Sequence, residues 1–291
     1  MSALDGGRLF HVNVNCRSLA RSRPFYEALG LTAGVQTAPE KPQPGLAFGL
    51  RQAWWDAWIM TGARGFEGAA VDLLEWKEPV PAGAPPASFT ETGWQRLGLA
   101  MPDLDRVVAQ VPALGGAVRS APHSHTLDDG RTVKLAIIED PDGTAVECIE
   151  GSASRVSFVA VSCRNLDRST ACYAALGFRE VARFTSHGEF VMDEVMLAAP
   201  GGGEAHVLLV HVVEPGPQVA PARKANTVGI WRAAFLVPDI DAAWAAVAAV
   251  DDAARLSPPV AMAMGEGLPE LRFGCFRGPD GEVLELIEQP G

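Results

Sequence analysis

Cysteine is scarce in this chain, and the few cysteines are not paired in sequence. Five cysteines occur among 291 residues, with no CxxC motif. An odd, unpaired set argues against a disulfide framework and against a zinc site built from thiolates. We therefore expect reduced thiols that pack as small apolar side chains.

Long apolar runs and an excess of positive charge are also missing. No stretch of about 18 uninterrupted apolar residues occurs, and the opening MSALDGG lacks the features of a secretory signal. The formal charge is -11, from 24 Lys and Arg against 35 Asp and Glu. Such a field repels phosphate backbones and anionic membranes. We expect a cytoplasmic protein without nucleic-acid or membrane partners.

Nucleotide-binding signatures are absent as well. The sequence contains no Walker loop and no dinucleotide fingerprint, so we expect no nucleotide cofactor. The frequent alanine, glycine and arginine are typical of a bacterial genome rich in G and C.

What the sequence does contain is an internal repeat. The segment VNCRSLARSRPFYEALGL from Val14 returns as VSCRNLDRSTACYAALGF from Val161. Within each half a second motif recurs, since GWQRLGLAMPDLD matches GIWRAAFLVPDID, and EDPDGTAVECIE matches RGPDGEVLELIE. These repeats divide the chain into four units of roughly seventy residues.

Every unit shows the same predicted order of elements. An apolar strand is followed by a helix and then by β-prone segments with turn residues between them, which predicts a βαβββ unit. Pro-rich linkers separate the units within each half, and GSAS separates the halves. The predicted bounds are an N-terminal domain at 1–151, with units at about 8–80 and 92–151, and a C-terminal domain at 155–291, with units at about 155–215 and 228–289.

Two of these motifs resemble a known family. LARSRPFYEALG in the first helix, and the closing segments DPDGTAVEC and GPDGEVLEL, are similar to the signatures of the vicinal-oxygen-chelate superfamily of glyoxalases, bleomycin-resistance proteins and extradiol dioxygenases. The resemblance implies an α+β fold in which four modules pair into two curled-sheet half-barrels, each around a pocket. It leaves open whether unit one pairs with unit two or with unit four.

The resemblance also places four metal-ligand positions in each pocket, on the first and last strands of the modules. In the first half these positions carry His11, Glu75, Arg96 and Glu147, and in the second half Phe158, His211, Arg232 and Glu285. The implied metal site is a divalent Zn, Mn, Fe or Ni on His11, Glu75 and Glu147. His211, Arg232 and Glu285 are the candidates of the second pocket.

Arginine and phenylalanine at these positions limit the metal hypothesis, because neither side chain can ligate a cation. Phe158 and Arg232 occupy the two places where a two-domain extradiol dioxygenase needs histidine, so that activity is not expected. Two other roles are expected for Arg96 and Arg232. They form ion pairs with Glu147 and Glu285, or Arg96 holds a substrate carboxylate or oxyanion.

The run RQAWWDAWIM places three tryptophans on one predicted strand. Because side chains alternate between the faces of a strand, Trp54 and Trp58 share one face and Trp55 lies on the other. We expect Trp54 and Trp58 to line the pocket as flat walls for a planar ligand. Plain packing within the sheet is the alternative.

These observations favour an enzyme that acts on a small molecule. The expected activity is that of an isomerase, epimerase or lyase, with Glu147 and Arg96 as catalytic residues that stabilise an enolate or oxyanion. The alternative is a non-catalytic protein that binds and sequesters an antibiotic in degenerate pockets. In either case we expect an aromatic or anionic ligand, and both a monomer and a homodimer remain open.

Overall fold

The computed structural model describes residues 4–126, 130, 132–251 and 254–289. The helices are α1 (Leu19–Ala28), α2 (Leu104–Gln110), α3 (Leu166–Ala175) and α4 (Ile240–Asp251). The strands are β1 (Arg8–Cys16), β2 (Thr32–Thr37), β3 (Gln43–Pro44), β4 (Gln52–Thr61), β5 (Ala70–Glu78), β6 (Gly93–Met101), β7 (Ala117–Thr126), β8 (Thr132–Glu139), β9 (Ala145–Glu150), β10 (Arg155–Ser162), β11 (Arg179–His187), β12 (Val191–Ala198), β13 (His206–Glu214), β14 (Gly229–Val237), β15 (Val260–Met262), β16 (Leu271–Arg277) and β17 (Val283–Glu288).

The four units follow the predicted order of one strand, one helix and then further strands. Unit one runs from β1 to β5, unit two from β6 to β9, unit three from β10 to β13 and unit four from β14 to β17. Unit one has one additional short strand, β3, which pairs only with β4. Within the described ranges, no helix has the length and apolar character needed to cross a bilayer.

The strands form two curled sheets, as expected for the fold. The first sheet has nine strands, in the order β15-β16-β17-β14-β1-β5-β4-β2 with β3 on β4. The second sheet has eight strands, in the order β11-β12-β13-β10-β6-β9-β8-β7. In each sheet two units meet along their first strands, which pair antiparallel.

This order settles how the units pair. Unit one shares the first sheet with unit four, and unit two shares the second sheet with unit three. Each sheet therefore combines one unit from either half of the sequence. Residues that were assigned to one pocket on the basis of the sequence halves, such as His11 and Glu147, belong to different sheets.

The two faces of each sheet have different neighbours. On β1, Val12, Val14 and Cys16 point into a continuous core that includes residues of both sheets and all four helices. His11 points the other way, towards a cavity. A bulge between Leu9 and His11 adds one residue to the strand, so that Phe10 and His11 both line the cavity.

Buried hydrogen bonds connect α1 and α3 each to the unit that follows it in sequence. The Tyr26 hydroxyl in α1 donates to Asp140 of unit two (3.0 Å), and the Tyr173 hydroxyl in α3 donates to Glu282 of unit four (2.9 Å). Burial raises the pKa of Asp140 to about 6 and that of Glu282 to about 7. Because units one and two lie in different sheets, these contacts join the two sheets.

Candidate functional site

A cavity of about 290 Å³ lies on the concave side of the first sheet. Its wall is mostly apolar, and five aromatic rings contribute to it: Phe10, Phe48, Trp55, Phe66 and Phe273. The polar side chains His11, Asp72, Arg232 and Glu285 lie together in this wall. We call these four residues the ionic cluster. An apolar pocket with a few convergent polar groups is the usual form of a small-molecule site.

Four adjacent strands each contribute one residue to the ionic cluster. Glu285 lies on β17, Arg232 on β14, His11 on β1 and Asp72 on β5. The parallel registers explain the alignment, because His11 pairs with Ala70 and Arg232 pairs with Val283. Each carboxylate lies two residues beyond the paired position and therefore on the same face of the sheet.

Arg232 bridges the two carboxylates of the ionic cluster. Its Nε donates to Glu285 Oε2 at 2.7 Å, and its Nη2 donates to Asp72 Oδ2 at 2.9 Å. His11 Nε2 lies 3.3 Å from Glu285 Oε2 and 3.7 Å from Asp72 Oδ2. All four side chains are buried, each with at most 6 % of its surface exposed.

Burial and pairing act in opposite directions on the ionisation of this cluster. Burial alone would lower the pKa of Arg232, but Glu285 and Asp72 outweigh it and raise the pKa above its usual value. Burial alone would raise the pKa of Glu285, but Arg232 and His11 outweigh it and lower the pKa. With a neutral imidazole the formal charges of the cluster add up to one negative charge.

Some buried polar atoms of the cluster have no hydrogen-bond partner among the described residues. These atoms are both ring nitrogens of His11 and the Nη1 of Arg232. His11 Nε2 is near Glu285, but without hydrogen-bond geometry. Buried polar atoms are normally paired, because an unpaired one costs about 1 to 3 kcal/mol. The side chains that carry these atoms line the cavity, although the atoms themselves are buried.

Glu75, expected beside His11, lies on the opposite face of β5. Its carboxylate accepts a hydrogen bond from the Leu19 amide at the start of α1 (2.8 Å) and one from Lys77 Nζ (2.7 Å). Asp72 occupies the cavity position instead. The two residues are three positions apart, and an odd separation on a strand reverses the side-chain direction.

His211, the corresponding expectation in unit three, is displaced for the same reason. Its Nδ1 lies 3.1 Å from the Cys163 carbonyl oxygen, near the start of α3. The strand register instead places Leu208 where unit one has Asp72, because Phe158 pairs with His206 as His11 pairs with Ala70.

Arg96 and Glu147 lie in the second sheet, remote from His11 in the topology. Arg96 Nε donates to Glu147 Oε2 at 2.6 Å, and Arg96 Nη2 donates to Glu194 Oε1 at 3.1 Å. The expected ion pairs of Arg96 with Glu147 and of Arg232 with Glu285 are both present. The structure does not bring His11, Glu75 and Glu147 to one place, so these three residues cannot hold one metal ion.

The second sheet has an aromatic ring at the position of His11. Phe158 packs there with Leu208, Val210 and neighbouring methionines. Its ring lies directly over Gly98, where a Cβ atom would overlap the ring, whereas the aligned position of unit four carries Ala234. Apolar side chains therefore occupy two of the four positions that correspond to the ionic cluster, those of His11 and Asp72.

The three tryptophans alternate on β4 as expected, but the face towards the cavity is the other one. Trp55 lines the cavity, and its Nε1 donates to Thr37 Oγ1 (3.1 Å). Trp54 Nε1 donates to the Pro39 carbonyl (2.8 Å), and Trp58 lies under the guanidinium of Arg23 at 5.2 Å. Trp54 and Trp58 therefore do not line the cavity.

Sequence reasoning missed Asp72 and Glu194. Asp72 could have been found from strand alternation, since it shares the parity of the apolar residues Leu74 and Trp76 that enclose the cavity side. Glu194 had no comparable signal, because it lies on β12, outside the strands that carry the family's ligand positions.

The donor set of the first sheet does not fit a divalent metal. Arg232 occupies one of the four ligand positions, and two of its N–H groups already bind the carboxylates. Among the described residues, no three His, Cys, Asp or Glu side chains are arranged to hold one ion. A guanidinium within hydrogen-bond distance of both carboxylates would also repel a divalent cation bound to them.

Comparison with known proteins agrees with this fold. Glyoxalase I from Zea mays superposes with a TM-score of 0.69 at 17% identity, over 97% of this chain and 92% of that one. A proposed dioxygenase from Bacillus subtilis superposes with a TM-score of 0.61 at 13% identity, over 98% and 86% of the two chains. No curated protein sequence matches the chain.

A family model also matches both halves of the sequence. The model of the Glyoxalase/Bleomycin resistance protein/Dioxygenase superfamily matches residues 8–148 and again residues 155–286. Together the two matches cover most of the chain and agree with its four-unit repeat and its two curled sheets. The chain therefore belongs to the Glyoxalase/Bleomycin resistance protein/Dioxygenase superfamily and carries two copies of its domain.

Proposed function

We propose that the cavity of the first sheet binds a small, largely apolar carbonyl compound through its oxygen atom. A proton is then transferred at the carbon next to the carbonyl group. This is the chemistry of an isomerase or epimerase. The observation that carries the proposal is the set of unpaired polar atoms in the wall of an aromatic cavity, namely both ring nitrogens of His11 and the Nη1 of Arg232.

Arg232 has the role of binding and stabilising the oxygen. Two carboxylates fix its guanidinium, and the remaining Nη1 is a charged hydrogen-bond donor without a partner among the described residues. A fixed cationic donor in an apolar site stabilises negative charge that develops on a carbonyl oxygen as the adjacent carbon loses a proton. With a neutral imidazole the cluster has a formal charge of minus one, and a neutral oxygen acceptor then suits it better than a carboxylate.

His11 has the role of moving the proton. Glu285 Oε2 lies 3.3 Å from Nε2, so a small rotation of the ring allows this nitrogen to donate to the carboxylate. The other nitrogen then presents its lone pair as a general base. The lowered pKa of Glu285 keeps this carboxylate charged and able to orient the imidazole.

The test begins with a panel of carbonyl compounds that carry apolar substituents, screened by the rise in melting temperature. Exchange of the carbon-bound proton next to the carbonyl is then followed by NMR in D₂O. We expect His11→Gln to slow the exchange by at least about 100-fold, the usual contribution of a general base. Affinity should remain within about tenfold of the native value.

Glu75→Gln serves as the control, because Glu75 lies on the other face of β5 and should not affect exchange. Native-rate exchange in His11→Gln would refute the role of His11.

A second candidate function is ligand binding without chemistry, as in a protein that sequesters a toxic compound. The apolar wall of the cavity favours this function. The pairing of Arg232 with both carboxylates favours it as well, because it leaves His11 as the one base of the cluster that is free to accept a proton. This function predicts a rise in melting temperature without proton exchange in the native protein.

A further inference from the structure

The same four positions can be compared between the two sheets. In the first sheet they carry Asp72, His11, Arg232 and Glu285, and in the second sheet Leu208, Phe158, Arg96 and Glu147. Only the last two positions carry the same residue types in both sheets, namely arginine and glutamate. The cavity described above lies at the sheet that carries His11 and Asp72.

In the first sheet the arginine lies among side chains whose types, imidazole and carboxylate, ligate metals in other proteins. An imidazole nitrogen and two carboxylate oxygens converge, and the His11 Nε2 distances to them are 3.3 and 3.7 Å. Imidazole and carboxylate are ordinary ligands of Zn²⁺. The cation that actually binds the two carboxylates is the guanidinium of Arg232, at 2.7 and 2.9 Å.

The second sheet shows that the two carboxylates accompany the arginine. Leu208 replaces the carboxylate of the last strand, yet Arg96 still binds a second carboxylate, which Glu194 supplies from β12. The aligned position in unit one is Ala57, since Glu194 pairs with Val210 as Ala57 pairs with Leu74. A buried arginine therefore has two carboxylate partners in both sheets, although one partner comes from a different strand.

We propose that the guanidinium of Arg232 takes the place of a divalent metal ion in the cavity, so that this protein carries its own cation there. The proposal rests on the proposed function in that it names the cation of the same cavity, but its test requires no substrate. It implies that one substitution, of arginine by a ligating side chain, converts the ionic cluster into a metal site.

The experiment measures binding of Zn²⁺ by calorimetry and of Co²⁺ by visible absorption, with chelator-treated protein. The native protein should bind neither ion in the cavity. Arg232→His adds a second imidazole to His11, Asp72 and Glu285, and should bind Zn²⁺ at least about 100-fold more tightly than the native protein. Its melting temperature should be low without metal, because two carboxylates lose their partner, and should rise when Zn²⁺ is added.

Arg96→His makes the same exchange in the second sheet, where Phe158 and Leu208 stand in place of His11 and Asp72. It should bind Zn²⁺ at least about tenfold more weakly than Arg232→His. Equal affinity of the two variants would overturn the proposal, because the ligands of the first sheet would then not matter.

Two further outcomes would also overturn it. One is a stoichiometric metal in the native protein that is lost in His11→Ala, and the other is the absence of Zn²⁺ binding in Arg232→His. If Arg232→His does not fold, Arg232→Gln, which adds a neutral ligand in a smaller change, is assayed against the same native reference. The proton-exchange experiment is a separate test. A native cavity that binds no metal and catalyses no proton exchange would refute the proposed function, but not the proposal that Arg232 is the cation of the cavity.

Discussion

The ring of Phe158 lies directly over Gly98 in the second sheet, with its Cε1, Cδ1 and Cζ atoms 2.4 to 2.6 Å from the position that a Cβ of residue 98 would take. The aligned pair in the first sheet is His11 and Ala234. Where the strand partner is glycine, the facing residue is the large phenylalanine, and where the partner is alanine, the facing residue is histidine. Gly98 therefore leaves the space that the ring of Phe158 occupies.

Gly98→Ala should destabilise the protein, because the added methyl group collides with a buried ring. We expect a loss of about 1 to 3 kcal/mol in the free energy of unfolding, measured with urea. Combining it with Phe158→Ala should cost less than the sum of the single changes, since the collision is then absent. Additive losses would show that the ring and residue 98 do not interact.

Asp72 and Glu75 provide a matched pair on one strand. Asp72→Ala leaves the buried Arg232 with one carboxylate and should cost about 3 kcal/mol of stability. Glu75→Ala removes a partly exposed side chain that accepts from the first helix and should cost about 1 kcal/mol. Both losses are measured by urea unfolding at pH 7. A larger loss for Glu75 would contradict the assignment of the cavity position to Asp72.

Trp55 and Trp58 provide a second matched pair, on β4. Trp55 lines the cavity, whereas Trp58 lies under Arg23 on the other face. For any compound that raises the melting temperature of the native protein, Trp55→Leu should weaken binding by about tenfold, or 1.4 kcal/mol. Trp58→Leu should leave the dissociation constant within about twofold. Calorimetric titration of both variants measures this difference, and equal effects would place the ligand outside the cavity.

Glu282 makes stability depend on pH. Burial and the nearby Asp280 raise its pKa in the folded protein from the ordinary 4.5 to about 7. The folded state therefore holds this proton more tightly than the unfolded chain, and stability falls as pH rises from about 4.5 to 7. Below that window both states are protonated, and above it the buried charge has its full cost.

Glu282→Gln removes this titration and keeps the shape of the side chain. The difference in the free energy of unfolding, variant minus native, should be roughly 2 kcal/mol larger at pH 8 than at pH 5. Urea unfolding at the two pH values measures the gain, with Glu75→Gln as the control. A difference between the variant and the native protein that does not change with pH would show that Glu282 is ionised throughout.

The architecture could be predicted from the sequence because the repeat and its turn residues are local signals. The pairing of units could not, since β1, β6, β10 and β14 present similar apolar faces and any of them could pair with another. The ionic cluster was predicted in part. His11, Arg232 and Glu285 were recognised as candidates, but their grouping depended on the pairing and the choice of Glu75 over Asp72 depended on strand parity.

The arrangement of the two sheets also sets an order for folding during synthesis. Units two and three are neighbours in the chain and form the second sheet, whereas β1 must find β14, which begins at Gly229. The second sheet can thus form while the polypeptide is still growing. One edge of β1 pairs with β5 of the same unit, but the other edge stays unpaired until the ribosome has made unit four, so during translation that edge is exposed to aggregation and to chaperones.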